Sequence, residues 1–419
     1  MKKFFDKNIR SKTSYLKNFF WRALQMISRQ GIGLAILLIA AKLLPTKEFG
    51  IYNYLVAFAF LFTLLADFGI SRAVTKFTAE YNLKDNEKVK IIFFNSGVIL
   101  FSLIFLFTII LFLFKEFLIG EFHYYLIHLI PVFIFLPLTS LYDGIYNGLK
   151  QFKTISKIYL AAGIIALISS YFLIVKFQTL GAFYALDLYY FLLFIFLAFN
   201  FKQYGFKFDK VLFNSIAKYS VILGVSSLGH FMYAKATVII LGKFNYFTEA
   251  GYYELIDKIF MLITFGVIIF GQVIAPRVTE LSVENKNEIV LSYFKKIVSI
   301  VFTAGIICSI LLYFIFPFIM EIFLDKYLTD DFLKMFNILL IHLPLILISG
   351  SIAQPFVIAT GFAKYSLLTI PFGVLNIIFS IIMVEQLGFI GAVYTVLVIS
   401  ICSKLTLYYL IYKKLGTKN

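Results

Sequence analysis

The sequence predicts an all-α, polytopic membrane protein with about twelve transmembrane helices in two six-helix lobes around a central cleft. Three observations carry this. Of the 419 residues, 61% are hydrophobic and only 14% charged, more apolar surface than a soluble chain of this length can hide, so lipid must solvate much of it. The apolar residues come in runs long enough to cross a bilayer. The two halves of the chain repeat one another in outline.

The first half carries apolar runs near 17–43, 50–71, 91–114, 122–147, 158–175 and 180–200. The second carries them near 219–242, 250–274, 297–320, 333–358, 366–384 and 388–411. At about 1.5 Å per residue each covers a hydrocarbon core of about 30 Å. The first run is longer than the apolar region of a signal peptide and no A-x-A-like site follows it, so it reads as a retained helix. Cys308 and Cys402 fall inside spans and read as small hydrophobes rather than as a disulfide or metal site.

The formal net charge of +16 does not indicate nucleic acid, because Lys and Arg sit in short segments between the apolar runs. Seven lie between Lys2 and Arg22, and the later loops on that side plus the C-terminal tail bring the total there to 28. The other side has seven: Lys42, Lys47, Lys115, Lys176, Lys243, Lys326 and Lys334. This positive-inside bias, with an even number of spans, places both termini in the cytoplasm.

PTKEFGIY from Pro45 aligns with YFTEAGYY from Tyr246, which pairs Glu48 with Glu249, Gly50 with Gly251 and Tyr52 with Tyr253. The same offset sets Lys76 on Arg277. YNGLKQF from Tyr146 aligns with ATGFAKY from Ala359, and that offset pairs Pro131 with Pro344. TLGAFYA from Thr179 aligns with QLGFIGA from Gln386. The matches occur in order at nearly constant spacing, which divides the chain into an N-terminal lobe, residues 1–205, and a C-terminal lobe, residues 206–419. Halves with an even number of helices enter the membrane in the same direction, so they can face each other across a cleft. The proline pair predicts a recurring bend in spans 4 and 10, serving either motion or passive packing.

A basic residue at bilayer depth costs roughly 2.5–3.5 kcal/mol on insertion scales, which makes it a functional candidate. Three such residues are Arg29 in span 1, Lys235 in span 7 and Lys258 in span 8. Arg22, Gln25 and Arg29 make a polar stripe on one face of span 1, expected to face the cleft. The repeat puts His230 opposite Arg29. Lys235 lies about 140° around the helix from His230, so one of the two packs elsewhere, and Lys235 either faces the lumen or snorkels to the headgroups. Glu254, Asp257 and Lys258 share a face of span 8. They read either as a neutralising Glu254–Lys258 pair or as a substrate-contacting Lys258 beside carboxylates that take up a coupling ion. Asp67 and Asp143, near the ends of spans 2 and 4, read as loop organisers, with Asp67 a further coupling-ion candidate. Asp187 in span 6 has no partner in its own helix.

No phosphate-binding glycine loop, paired-cysteine motif, His-Glu zinc spacing or nucleophile elbow occurs, so no cofactor and no enzymatic chemistry are expected. The charged segments 72–90 and 275–296 read as solvated connections.

PTKEFGIYNY, DFGISRAVTKFTAEY, EAGYYELIDKI and VIAPRVTEL resemble the corresponding stretches of Wzx-type polysaccharide flippases. These belong to the MOP exporter superfamily with the MATE exporters and the lipid II flippase MurJ. The resemblance implies a flippase of the bacterial cytoplasmic membrane that moves an undecaprenyl-diphosphate-linked oligosaccharide outward by alternating access, for O-antigen, lipopolysaccharide, capsule or related polymer assembly. It implies a lipid-linked oligosaccharide and membrane lipid as partners, with a polysaccharide polymerase and chain-length machinery nearby. MurJ-type members carry arginines in the cleft, and Arg29 and Lys258 look similar in placement. Span 2 has no basic residue and the chain lacks two extra C-terminal helices, which argues against lipid II. The alternative is a MATE-like cation-coupled exporter of small organic cations, drawing on Glu254, Asp257 and the aromatics.

Overall fold

A computed structural model describes residues 2–82, 85, 87–284, 286–352, 356–357 and 367–416, with side chains from residue 20 onward apart from that of Pro276. All regular structure among them is helical. The helices are α1 (Lys2–Leu43), α2 (Thr46–Asp67), α3 (Ile70–Tyr81), α4 (Glu87–Leu113), α5 (Lys115–Ile119), α6 (Ile130–Gly148), α7 (Phe152–Asn200), α8 (Lys210–Ala234), α9 (Ala236–Lys243), α10 (Phe247–Val283), α11 (Asn287–Leu324), α12 (Asp330–Ile352), α13 (Thr369–Leu387) and α14 (Phe389–Gly416). Among the described residues ten helices are long and apolar enough to cross a membrane, or eleven if the bent pair Lys115–His128 and Ile130–Gly148, which meet at 73°, counts as one broken span. The 49-residue α7 is two of the expected spans in one, broken at Gln178. Large apolar side chains are exposed in rows, such as Phe101, Phe105 and Phe112 on α4 and Ile307, Phe314 and Phe318 on α11. An apolar exterior over an apolar core requires lipid as the outer solvent.

Packing divides the chain into two units. The first comprises Met1–Leu44 and Phe58–Ser227, the second Pro45–Ala57 and Leu228–Asn419. In the first, α1 and α6 both pack on α7, and α3 lies against α6. In the second, α11 and α10 pack on α12, and α13 pairs with α14. Helices α2 and α8 each contribute residues to both units.

The reversal inside α7 shows how the sequence makes a tight hairpin. In a straight helix residues eight apart are about 12 Å apart, yet a Cβ on Gly181 would come within 2.0 Å of the Leu173 carbonyl oxygen. The turn residue is Gln178, at φ 50° and ψ −127°. The second unit repeats the device 210 residues on: Gly388 turns the chain at φ 66° and ψ −155°, and a Cβ on Gly391 would sit 2.0 Å from the Met383 oxygen. The structural partner of Gly181 is therefore Gly391, not Gly388, three residues from the register read from the motifs. Gln178 carries a side chain where its counterpart is glycine, so Gln178→Gly is expected to raise the thermal midpoint of the purified protein, relieving about 1–3 kcal/mol of backbone strain.

Several other expectations are corrected. Pro131 sits in the first turn of α6, where its missing N–H costs nothing. The proline inside that helix is Pro137, 207 residues before Pro344, which is inside α12. Segment 72–90 is not simply a solvated loop. The span expected to run to residue 71 ends at Asp67, because Phe68 and Gly69 turn the chain at φ 32° and 81°. Asp67 then accepts the Ser71 N–H at 3.1 Å and its hydroxyl at 3.0 Å, and α3 buries Ile70, Ala73, Val74 and Thr78 at helical spacing. A Cβ on Gly69 would meet the Ser220 oxygen at 2.6 Å, so only glycine fits. Likewise, 275–296 is largely the end of α10 and the start of α11. Asp187 has a partner from another helix: its carboxylate accepts the Val132 N–H at 3.1 Å and caps α6. The repeat segment 359–365 lies outside the described residues.

Candidate functional site

Arg22 and Arg29 are seven residues apart on α1 and therefore share a face, as the polar stripe predicts. In the first unit both line a cavity of about 550 Å³, together with Arg72 from α3, Asp67 from the end of α2, and Asp143 and Asn147 from α6. Arg29 Nη1 donates to Asp143 Oδ2 at 3.2 Å, and the Tyr159 hydroxyl of α7 donates to the same oxygen at 2.5 Å. The Asp143 side chain is 6% exposed whereas that of Arg29 is 45% exposed, so the acid sits in the wall and the guanidinium reaches into the cavity. Arg22 Nη1 donates to Asn147 Oδ1 at 2.5 Å and to Gln25 Oε1 at 2.7 Å. Gln25, buried at 3% exposure, holds Arg22 from behind. Arg72 Nη2 donates to Ser227 Oγ at 2.6 Å.

Three guanidiniums and two carboxylates leave the cavity with a formal excess of one positive charge. A guanidinium has five N–H donors in a fixed fork, and the partners above use only part of that capacity. The rest suits phosphate or carboxylate oxygens. Asp67 lines the cavity while its oxygens hold the α2–α3 turn. Asp143, expected to organise a loop, instead fixes Arg29 across 114 residues of sequence. Arg72 was assigned to a connecting loop by its charged neighbours. The helical spacing of Ile70, Ala73, Val74 and Thr78 marks its segment as an amphipathic helix, and the fold brings Arg72 to the cavity.

The candidates from spans 7 and 8 gather in the second unit. Lys235, at the junction of α8 and α9, donates to Glu254 at 2.8 and 2.9 Å and to Asp257 at 2.8 Å. It does not snorkel. Lys258 lies 3.4 Å from Glu254, so the i, i+4 pair forms, as the minor arm of a neutral four-residue cluster. His230 is exposed and belongs to this same unit. Lys235→Met is expected to lower the melting temperature markedly in detergent. Removing one partner of a buried pair costs about 3–5 kcal/mol, somewhat less here because Asp257 is 37% exposed. Adding Asp257→Asn should recover much of the loss; no recovery would mean the lysine stabilises by packing instead.

Lys404 needs a further correction. The charge count places it with the C-terminal tail, but it lies within α14 and is buried, at 9% exposure.

Comparison with known proteins places this architecture. An inward-facing multidrug resistance MATE transporter of the MOP superfamily superposes with a TM-score of 0.77 at 15% identity, over 95% of this chain and 98% of that one. The lipid II flippase MurJ, in an inward closed conformation, gives 0.72 at 19% identity, over 94% and 87%. A eukaryotic MATE transporter gives 0.64 at 14% identity, over 96% and 97%. No curated protein matches the sequence. The fold is thus that of the MATE-like membrane proteins. Residues 15–282 match the family model described as polysaccharide biosynthesis protein, and the chain belongs to that family.

Proposed function

We propose that the protein flips an undecaprenyl-diphosphate-linked oligosaccharide from the inner to the outer leaflet of the bacterial cytoplasmic membrane. The observation that carries this reading is the cavity in which Arg22, Arg29 and Arg72 converge. A diphosphate offers several anionic oxygens, which forked guanidinium donors bind better than point charges do. Its polyprenyl tail can stay in lipid while the sugar and phosphates travel through a wet interior. The repeat halves, residues 1–205 and 206–419, act as lobes that alternate access to a central cleft, with both termini cytoplasmic. Moving negative charge outward gains about 2.3 kcal/mol per charge per 100 mV of membrane potential. Lys258 and His230 of the second unit are further substrate contacts in this scheme, Lys235 being held by Glu254 and Asp257, and Asp67 is a candidate for an accompanying cation. A polymerase and chain-length machinery would act on the product.

Expression in a strain lacking its own flippase tests the reading. Surface polymer should return and the lipid-linked precursor should stop accumulating. Extrusion of organic cations with no polymer would identify a cation exporter instead, an outcome the three arginines disfavour.

A further inference from the structure

A buried cation with only neutral neighbours is rare in a membrane protein, because an uncompensated charge away from water is expensive. Among the described residues, the amine of Lys404 is such a case. It lies 3.0 Å from the Tyr233 hydroxyl of α8, 3.0 Å from His342 Nε2 of α12, and in contact with the Ser400 hydroxyl one turn back on α14. Ser400 also contacts both Tyr233 and His342, which closes the four groups into a ring. His342 and Ser400 are buried like Lys404.

Among the described residues, the surrounding helices add polar groups but no charge directed at the amine. Tyr408 of α14 bonds to the Leu345 carbonyl and to Ser349 of α12. Asn376 of α13 donates to the Met232 and Tyr233 carbonyls at 3.3 and 3.5 Å. Lys295 of α11 lies over the Tyr412 ring. Lys235, two residues beyond Tyr233, is held by Glu254 and Asp257.

Two bases 3.0 Å apart cannot both be cations, so Lys404 and His342 together hold one extra proton at most. With that proton present, the ammonium has three N–H donors and finds three acceptors around it. With it absent, the amine lone pair can accept from the Ser400 or Tyr233 hydroxyl, and the ring remains connected. No donor is left over to take an anionic ligand in the protonated state. We propose that Lys404, with His342, Tyr233 and Ser400, is a proton-loading site through which transport is coupled to the proton gradient. The coupling group is then a base in the second unit, distinct from the carboxylates Glu254 and Asp257, whose charges the two lysines neutralise. The proposal does not depend on which solute is carried.

Purified full-length protein labelled with nitrogen-15 lysine provides a substrate-free test by magnetic resonance. Loss of one amine signal in Lys404→Arg identifies Lys404. That signal should switch between ammonium and free amine on moving from mildly acidic to mildly alkaline buffer, and the switch should shift in His342→Gln. An ammonium signal throughout would overturn the proposal. In complemented cells, dissipating the pH gradient at constant membrane potential should slow polymer export by the natural protein. Lys404→Arg, which fixes the charge, should lose that sensitivity while its membrane level stays unchanged. Equal sensitivity in both would also overturn it. If no polymer is exported at all, the glycan reading fails and the resonance experiment still decides this one.

Discussion

Replacing Arg29 with glutamine is expected to reduce polymer export by about ten- to a hundredfold while the protein still reaches the membrane. The size follows from the contacts at stake: hydrogen bonds to a charged group contribute about 1.5–3 kcal/mol, and 1.4 kcal/mol is tenfold in binding. Arg29→Lys keeps the charge but loses the forked donor set, so an intermediate loss is expected. The structure supplies the control. Asp143 is almost fully buried and depends on Arg29 for neutralisation, so part of the loss in Arg29→Gln could reflect a stranded carboxylate. The double variant Arg29→Gln/Asp143→Asn removes that complication. It should melt near the temperature of the natural protein yet remain defective in export. Export restored by the second substitution would reduce Arg29 to a structural residue and remove the main support for anion capture.

The largest stability effect is expected at Gly50. A Cβ there would come within 1.7 Å of the Phe247 carbonyl oxygen, and one on Gly251 would lie 3.1 Å from Gly50 Cα. The first turns of α2 and α10 therefore cross glycine to glycine within the second unit. Backbone cannot swing aside as a side-chain tip can, so Gly50→Val should cost more than the roughly 1–3 kcal/mol of ordinary overpacking. Little or no monodisperse protein should be recovered after extraction. Gly97→Ala is the matched control: nothing lies within 4 Å of its Cβ position, and replacing a helical glycine there should stabilise by about 0.4–1 kcal/mol. Equal yields for the two valine and alanine variants would mean that α2 and α10 do not meet at this glycine pair.

The motifs pair Gly50 with Gly251 as repeat equivalents, but that the two meet in space is legible only in the structure. Most spans were readable, since hydrocarbon thickness dictates their length and composition. What escaped was set by partners distant in sequence. Nothing near Asp143 announces Arg29, and nothing near Asp187 announces the helix end it caps. Arg72 was hidden because a short amphipathic helix with several charges has the composition of a loop, and only its spacing gives it away. Lys404 was hidden by proximity to Lys413 and Lys414, a reminder that tallying charge by neighbourhood overlooks one turned inward. The hairpin register slipped by three residues because LGF and IGA offer glycines of equal sequence merit, and only the chain's close crossing at Gly391 separates them.

The three-way junction of Arg29, Asp143 and Tyr159 ties α1, α6 and α7 together through one carboxylate oxygen. An occupant that draws the guanidinium away does more than fill a space, because it unfastens a knot shared by three helices. In the proposed scheme, cargo arrival and slackening of the wall would be a single event, with the cargo's own phosphate as the trigger.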